Sequence, residues 1–452
     1  ANIFDNLVMA VTLKEDGSTD KKVLGSLTEA VKAQSSVDAE WSRLKKIFAS
    51  PQLQMVSFTI TEKGYALRDA KGEYFPFIRS DIDNGPDKAS SAMAVVSALL
   101  YERFNTCKAP LAVVSMDNCS HNGEKLRNSI TDMVGEWQKK GFVSEDFVQY
   151  VNDENTISFP WSMIDKITPR PADTVAESLK EAGVEDMDPV ITSKRTYIAP
   201  FVNAEGPQYL VIEDRFPNGR PQLEKAGVYM TDRDTVNKVE RMKVTTCLNP
   251  LHTALAVYGC VLGYDLIADE MKDKELSELV KRIGLVEGMP VVTNPGIIDP
   301  EKFADEVINV RIPNPFMPDT PQRIATDTSQ KVGIRYGETI KSYVAKDGSA
   351  RALTAIPLAI AGWCRYLLGI DDNGEAFELS PDPMADELKC QLDGIVWGES
   401  SSYTGQLKNL LSNANIFGIN LYEAGIGDKI EEMFVEEISG KGAIRETLKK
   451  YL

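Results

Sequence analysis

Histidine is scarce in this chain, and its cysteines do not form the pairs that bind metals or build disulfide frameworks. Only two of the 452 residues are histidines, His121 and His252, so a catalytic zinc held by three histidines is excluded. The six cysteines are scattered and contain no C-x-x-C pair, which argues against a zinc ribbon and a disulfide framework. We therefore expect reduced cysteines and chemistry that needs no metal.

Positive charge and long apolar runs are also in short supply. There are 50 lysines and arginines against 67 aspartates and glutamates, a net charge of −17, and such a balance repels nucleic acid and anionic lipid. The longest uncharged apolar stretches, Ala352–Cys364 and Thr253–Tyr264, are shorter than the ~20 residues that a membrane span needs. The first residues lack the pattern of a secretion signal. We expect a cytoplasmic protein with no nucleic-acid or membrane partner.

The chain does have the composition and patterning of a folded protein with more than one domain. Its 43% hydrophobic and 26% charged residues are ordinary globular values. Short strand-like runs alternate with helical stretches up to about Ile157, including an amphipathic helix predicted at Lys22–Ala33, and this alternation indicates a mostly parallel sheet. Beyond about Lys238 the pattern changes to long helices. We predict an α/β domain over residues 1–238 and a mostly α-helical domain over residues 239–452.

A polar turn follows the apolar strand predicted at Leu111–Met116. Residues 117–123 read Asp-Asn-Cys-Ser-His-Asn-Gly. In a doubly wound sheet the carboxyl ends of the strands border the ligand crevice, so Asn118 and His121 are well placed for binding. The same residues also suit a turn that caps the next helix. The pattern by itself leaves both interpretations open.

A second polar group lies at the start of the predicted helical domain. Glu240 and Lys243 precede Asn249, whose position before a proline is also typical of a helix start. His252 follows on the first turn of that helix. The two histidines of the chain could converge on one polar pocket, but composition does not decide this.

Arg323 and Lys331 form a third candidate group in the helical domain. They are two cations eight residues apart in a polar stretch. Most such charges lie on solvated faces. If they instead flank a pocket, they suit a carboxylate or a polyhydroxylated substrate.

Five segments match one enzyme family in the order in which they occur: Val56–Tyr65, Ser115–Gly123, Gly227–Lys243, Leu248–Ala256 and Asp327–Lys331. They resemble the polyol-specific long-chain dehydrogenases, which include mannitol 2-dehydrogenase and fructuronate reductase, also called mannonate oxidoreductase. The resemblance implies a Rossmann-like N-terminal domain for a nicotinamide cofactor and a mostly α-helical C-terminal domain, with a metal-free active site between them.

The resemblance therefore predicts an NAD-dependent oxidoreductase that interconverts a secondary alcohol and a ketone of a sugar acid. Fructuronate and mannonate are the first expectation, and mannitol with fructose is the alternative. NADP is not excluded. An alternative of another class is a non-catalytic sugar-binding or assembly subunit, which titration with NADH would distinguish.

The same resemblance implies catalytic roles for five residues. Lys243 would be the general acid/base, while Asn118 and Asn249 would hold the oxygen that becomes the carbonyl. His252 would orient the substrate, and Glu240 would relay the proton of Lys243 to solvent. Alcohol oxidation needs such a base and such donors, and a lysine serves as the base only if burial lowers its pKa from about 10.4 towards 7 or 8.

Binding roles are implied for a second set of residues. Arg323 and Lys331 match substrate-contacting positions of the family. Cofactor contacts are implied for Thr61, Glu62 and Asn118.

The start of the chain departs from the family's pattern. No Gly-rich strand-to-helix turn precedes Leu7, and no acidic residue follows a second strand, although these features bind the pyrophosphate and the ribose. Gly17 instead lies in a hairpin signal. We expect the sequence to be a fragment of a longer product.

The spacing around the lysine also departs from the pattern. Five residues separate Lys243 from Asn249, where the family usually has four. On a regular helix, nine steps from Lys243 to His252 turn about 180°, whereas eight steps would turn about 80°. Opposite faces cannot share a substrate, so we predict a break or π-type bulge within Val244–Leu248. The bulge would return Lys243 to the cleft expected to contain Asn118.

Overall fold

The structure, a computed structural model, describes residues 5–14, 16–69, 71–192, 195, 197–316 and 319–452. The chain divides into two compact units. The first contains Ala1–Thr12 and Thr19–Asn237, and the second contains Leu13–Ser18 and Lys238–Leu452. Residues 1–4 of the first predicted domain and Glu15 of the predicted hairpin turn lie outside the described residues. Among the described helices, none combines the length and hydropathy that crossing a bilayer requires.

The strands of the described residues all lie before residue 232. They are β1 (Val8–Leu13), β2 (Thr19–Leu24), β3 (Met55–Phe58), β4 (Leu111–Ser115), β5 (Ile157–Ser158), β6 (Ser162–Asp165), β7 (Val190–Ile191), β8 (Tyr197–Ile198), β9 (Phe201–Glu205), β10 (Tyr209–Glu213) and β11 (Tyr229–Thr231).

The α-helices extend over both units. They are α1 (Asp38–Phe48), α2 (Pro76–Asn84), α3 (Ala92–Thr106), α4 (Asn122–Lys139), α5 (Glu145–Asn152), α6 (Asp173–Glu181), α7 (Arg233–Met242), α8 (Asn249–Leu262), α9 (Ile267–Glu270), α10 (Lys274–Lys281), α11 (Pro300–Glu306), α12 (Pro321–Ile324), α13 (Glu338–Asp347), α14 (Ala355–Tyr366), α15 (Ala385–Gln391), α16 (Lys408–Leu411), α17 (Ala414–Phe417), α18 (Gly427–Glu437) and α19 (Ala443–Tyr451).

Tighter and wider helical turns complete the regular structure. The 3₁₀ turns are Glu62–Tyr65, Pro86–Lys88, Leu223–Ala226, Met289–Val291, Thr328–Gln330 and Ser400–Ser402. The π-helical segments are Lys243–Cys247, Arg282–Gly288, Val307–Arg311 and Gly333–Gly337.

The parallel part of the first unit is the sheet β3-β4-β5. Helices α2 and α3 connect β3 to β4, and α4 and α5 connect β4 to β5, which is the crossover arrangement that parallel strands require. Every residue of β4 is buried, because the strand has apolar neighbours on both faces. This explains its uninterrupted apolar sequence. A second sheet, β6-β10-β11, pairs β10 parallel to β11 and antiparallel to β6.

The prediction of a helix at Lys22–Ala33 is wrong. Residues 22–24 of this segment belong to β2, which pairs with β1, and residues 25–33 have no regular structure. The two strands are joined by the predicted hairpin turn, in which Gly17 adopts a φ of +80° and the amide of Lys14 donates to the carbonyl of Ser18 at 3.1 Å. β2 is exposed along its whole length. An apolar period stabilises a helix only where a core receives its apolar face, and this segment has none.

The second unit is built around two helices that are buried on nearly all faces, α8 and α14. They pack closely because Gly362 leaves room for Tyr258, whose Cζ would lie 2.5 Å from a Cβ at that position. The hydroxyl of Tyr258 donates to the carboxylate of Glu437 at 2.6 Å. Glu437 is fully buried, and this burial raises its pKa to about 8.

This buried carboxyl gives the stability of the protein a defined pH dependence. The pKa of Glu437 rises from about 4.3 in an unfolded chain to about 8 in the folded protein, so the unfolded chain binds fewer protons between these values. The stability of the folded protein therefore falls as the pH rises through this range, by at most about 1.4 kcal/mol per pH unit. Glu437→Gln should raise the melting temperature at pH 8 and change it little at pH 5. Glu432→Gln, on the exposed face of the same helix, is the control, and an equal shift at both pH values would contradict the prediction.

Candidate active site

Helix α7, which carries Glu240, ends at Met242, and the chain does not continue as a regular α-helix. Residues Lys243–Cys247 form a π-helical segment, and the amide of Leu248 donates to the carbonyl of Lys243 at 3.1 Å, which closes the wider turn. Leu248 then leaves helical geometry, with φ −134° and ψ −61°. Helix α8 begins at Asn249.

The interruption predicted within Val244–Leu248 is therefore confirmed. A hydrogen bond from residue i+5 instead of i+4 accommodates one additional residue in a turn. The nine residues from Lys243 to His252 then correspond to about eight steps of a regular helix, a rotation of about 80° instead of 180°. That this turn returns Lys243 and His252 to one cleft stays a prediction.

Neighbouring segments of the second unit donate a hydrogen bond to the wide turn and leave space for it. The hydroxyl of Thr339 donates to the carbonyl of Thr245 at 3.2 Å, and the hydroxyl of Thr245 donates to the carbonyl of Arg241 at 2.7 Å. Gly288 provides space, because a Cβ there would lie 2.7 Å from Cγ2 of Thr246. The π segment is thus bonded and packed by its surroundings.

Lys243 and Glu240 are both buried in the second unit. Lys243 is 3% exposed and Glu240 is 8% exposed. They are three positions apart along the chain, so they lie on the same side of the helix end. Asn249 is partly exposed at the first turn of α8, and its backbone carbonyl accepts the hydroxyl of Thr253 at 2.9 Å.

His252 is neutral at physiological pH. Burial lowers the pKa of its imidazole to about 4. Asp319 opposes this shift, whereas Arg311, Arg335 and Arg323 reinforce it. A neutral imidazole can donate one hydrogen bond and accept another.

Arg323 acts electrostatically on His252. Lys331 is influenced in the same way by Arg335 and Arg323. Arg323, on the short helix α12, is exposed and forms a bidentate pair with Asp319, with Nε at 2.6 Å from Oδ1 and Nη2 at 2.5 Å from Oδ2. Nζ of Lys331 donates to the carbonyl of Thr326 at 2.7 Å. Partial burial and the nearby guanidinium of Arg335 lower the pKa of Lys331.

Two arginines of this group were not predicted as site residues. Arg335 donates to the hydroxyl of Thr253 at 2.6 Å, and burial lowers the pKa of its guanidinium to about 10. Arg311 is buried at the end of a π-helical segment. In the sequence, Arg335 lies among helix-forming residues, and Arg311 lies two positions before Pro313. Neither pattern distinguishes a site residue from a surface charge.

In the first unit, Asp117 organises the polar turns that follow β3 and β4. Its carboxylate accepts the amides of Ile60 at 3.0 Å and Thr61 at 2.9 Å, and also the hydroxyl of Tyr65 at 2.5 Å. These bonds hold Thr61 at a φ of +64°, which is uncommon for a residue other than glycine. Burial and the contact with Asp117 raise the pKa of Tyr65.

The predicted cofactor contacts lie beside this carboxylate. Thr61, Glu62 and Asn118 are all exposed, and Glu62 forms an ion pair with Lys125. Thr61 follows β3 and Asn118 follows β4, so they lie at the same edge of the parallel sheet. This is the edge at which open α/β sheets bind ligands.

A cavity of about 300 Å³ lies next to these turns. It is bordered by Lys63 and Gly64 and by the N-terminal turn of α3, where the side chain of Ser91 caps the helix. These residues could hold part of a cofactor. Within the described ranges, no three His, Cys, Asp or Glu side chains cluster as a metal site would require.

His121 packs within the first unit. It adopts a left-handed conformation, with φ 50° and ψ 45°, directly before α4. Its ring lies 4.5 Å from the ring of Trp161. The site residues Glu240, Lys243, Asn249, His252, Arg323 and Lys331 all belong to the second unit.

The chain resembles enzymes of one family over nearly all of its length. The model of the mannitol dehydrogenase Rossmann domain matches residues 5–225, and that of the mannitol dehydrogenase C-terminal domain matches residues 235–437. A D-mannonate oxidoreductase from Thermotoga maritima is 54% identical over 450 residues, which cover 99% of this chain and 83% of that protein.

Two solved structures share the fold. A D-sorbitol dehydrogenase in substrate-free form has a TM-score of 0.75 at 26% identity, and the match covers 97% of this chain and 84% of that one. Mannitol 2-dehydrogenase from Pseudomonas fluorescens, in ternary complex with NAD and D-mannitol, has a TM-score of 0.68 at 25% identity, with coverage of 99% and 83%. The predicted Rossmann-type and helix-rich architecture is confirmed, while the absence of a Gly-rich part before Leu7 stays a prediction.

Removing the hydroxyl that supports the π segment should destabilise the second unit. In Thr339→Val the buried carbonyl of Thr245 loses its partner, which should cost about 1–3 kcal/mol and lower the melting temperature by about 2–4 °C per kcal/mol. Ser342→Ala on the same helix removes a hydroxyl that bonds within its own helix, and it serves as the control in thermal unfolding. If both variants melt at the same temperature, the hydroxyl of Thr339 does not stabilise the π segment.

Proposed function

The chain belongs to the mannitol dehydrogenase family, and from that premise we propose that it interconverts D-mannonate and D-fructuronate with NAD. It is an NAD-dependent oxidoreductase that acts on a CH–OH group of a sugar acid or a polyol. The observation that favours a sugar acid is the charge around His252, where three arginines act on the imidazole together with one aspartate. An excess of cations suits a substrate carboxylate. The 54% identity to a D-mannonate oxidoreductase supports the same choice.

We assign the cofactor to residues 1–238 and the substrate and catalysis to residues 239–452. NAD fits the carboxyl edge of β3 and β4, because Asp117 holds Thr61 in an exposed turn there and the cavity beside Lys63 borders the same turn. Thr61, Glu62 and Asn118 are the proposed contacts. When bound, NAD supplies the nicotinamide ring that accepts a hydride from the alcohol carbon.

Lys243 is the proposed general acid/base. Its burial removes water that would otherwise stabilise the charged ammonium. In oxidation, the neutral amine accepts the hydroxyl proton of the substrate. In reduction, the ammonium returns a proton to the ketone oxygen. Glu240, three residues earlier on the chain, carries the proton between Lys243 and solvent.

The remaining residues bind and orient the substrate. The side-chain amide of Asn249 donates to the oxygen that becomes the carbonyl, and the resemblance gives Asn118 the same role. The neutral imidazole of His252 forms hydrogen bonds with substrate hydroxyls, since it carries both a donor and an acceptor. Arg323 and Lys331 hold the distal end of the substrate. No step in this scheme uses a metal ion.

We also propose a cytoplasmic location. All six cysteines lack a disulfide partner in the structure, which favours a reducing compartment.

The substrate assignment is tested by steady-state kinetics. Purified protein should reduce NAD with D-mannonate and oxidise NADH with D-fructuronate, and it should do so in the presence of a chelator. Its kcat/KM for D-mannonate should exceed that for D-mannitol, because the uncharged polyol has no group to pair with the cations. Turnover of D-mannitol without turnover of D-mannonate would overturn the sugar-acid assignment. Loss of activity with chelator and its recovery with zinc would overturn the metal-free scheme.

Replacing the lysine tests the acid/base assignment. Lys243→Ala should lower kcat by about 10²–10⁴-fold, the usual contribution of general acid–base catalysis, and an added primary amine should restore part of the loss. Glu240→Gln should change the pH profile more than the maximal rate, because it interrupts only the transfer to solvent. Lys238→Ala, five residues before the catalytic position, is the control. Near-normal turnover of Lys243→Ala would reject the role of the lysine.

A further inference from the structure

Trp161 and Arg233 form a cluster with His121, which lies in the polar turn that carries Asn118. The ring of Trp161 lies 4.5 Å from the ring of His121, with 31° between the two planes. The guanidinium of Arg233 lies 5.4 Å from the Trp161 ring. Trp161 is thus in contact with the turn and with a cation of the same unit.

A buried carboxylate fixes the position of Trp161. Glu213 is only 6% exposed, and its Oε2 accepts the amide of Trp161 at 3.1 Å. In the opposite direction, the amide of Glu213 donates to the carbonyl of Trp161 at 2.8 Å. Both carboxylate oxygens also accept Nε of Arg233 at 3.1 Å. One side chain therefore orients both the backbone of the tryptophan and the cation beside its ring.

Gly123, next to this turn, leaves space for the indole ring of Trp161. A Cβ at Gly123 would lie 2.6 Å from Cδ1 of Trp161 and 2.7 Å from the carbonyl of Phe159, so only glycine permits this approach. Next to it, His121 is held in the left-handed region, which non-glycine residues rarely occupy. Strained conformations persist where the surroundings fix them, and the ring of Trp161 is one contact that does so here, beside the contact of Nδ1 of His121 with Glu124 at 3.6 Å.

A second bond joins the same two segments. The side-chain amide of Asn122 donates to Oγ of Ser162 at 2.9 Å, and its oxygen accepts the amide of Ser162 at 3.0 Å. This pair anchors the backbone after His121, whereas Trp161 contacts the ring of His121. The two anchors are adjacent but chemically independent.

We propose that Trp161, oriented by Glu213 and Arg233, is a positioning residue that fixes the conformation of His121 and thereby the direction of Asn118. The inference rests on the proposed function, because it affects turnover only if Asn118 contacts the reacting oxygen. Trp161 acts through the turn and does not itself touch the substrate. A tryptophan at this position is therefore a requirement of the reaction rather than of folding.

Kinetics of two variants at Trp161 test the proposal. Trp161→Ala should lower kcat for D-mannonate oxidation by about 10- to 100-fold, the cost of a displacement near 1 Å, and should change the KM for D-mannonate much less. Trp161→Phe, which keeps an aromatic ring against His121, should restore most of kcat. The matched control is Tyr74→Ala, which removes another aromatic ring that contacts an arginine in the same unit. It should leave kcat unchanged.

A double-mutant cycle tests whether the effect passes through His121. His121→Ala should lower kcat to a similar extent, and the double variant with Trp161→Ala should be no slower than either single variant. Wild-type kcat in Trp161→Ala, or losses that multiply in the double variant, would overturn the proposal. A loss in Trp161→Phe as large as that in Trp161→Ala would also overturn it.

Amide hydrogen exchange separates this proposal from the proposed function. Exchange of the amides over residues 117–126 should accelerate in Trp161→Ala and His121→Ala but not in Trp161→Phe or Tyr74→Ala. If the wild-type protein turns over neither D-mannonate nor D-mannitol, the proposed function fails, and accelerated exchange still supports the positioning of the turn. Unchanged exchange in Trp161→Ala overturns the positioning whatever the activity.

Discussion

The extra residue between α7 and α8 is the constraint on which the candidate site of the second unit depends. A regular helix would place Lys243 and His252 on opposite faces, and the chain has a π-helical turn there instead. Such a turn leaves backbone groups to be bonded by side chains and pushes the backbone outwards. Thr339 supplies a donor and Gly288 supplies the space. The position of the lysine amine is therefore a property of several helices together.

Two other wide turns of the second unit also contact neighbouring helices through a polar side chain. The π segment that ends at Gly288 presents Glu287, whose carboxylate accepts the first amides of α14, those of Thr354, Ala355 and Ile356, at 2.6–2.8 Å. The segment Gly333–Gly337 presents Arg335 to the helix of His252. Its glycines allow close contact with the backbone around Phe417. In both cases a wider turn directs one polar side chain to the N-terminal part of a buried helix.

Buried carboxylates have the corresponding role in the first unit. Asp117 bonds the backbone after β3, and Glu213 bonds the backbone before β6, so each joins segments that are distant in sequence. Carboxylates that accept backbone amides form strong, directional hydrogen bonds. The exposed residues Thr61 and Asn118 thus extend from turns that are rigidly held. Rigidity of this kind is what an enzyme needs where a cofactor and a reacting oxygen must be aligned.

The amino-acid sequence by itself determined the family and the two types of architecture, because apolar periodicity and ordered motifs are local properties of the chain. It also determined that a break must occur after Lys243, since the count of residues between two motif positions is incompatible with a regular helix. Only the tertiary structure decided that Lys22–Ala33 is not a helix, because its apolar residues find no core. Tertiary structure alone also brought Arg311 and Arg335 to His252 and Trp161 to His121. These contacts join residues far apart in sequence, and local patterns contain no record of which distant side chains will meet.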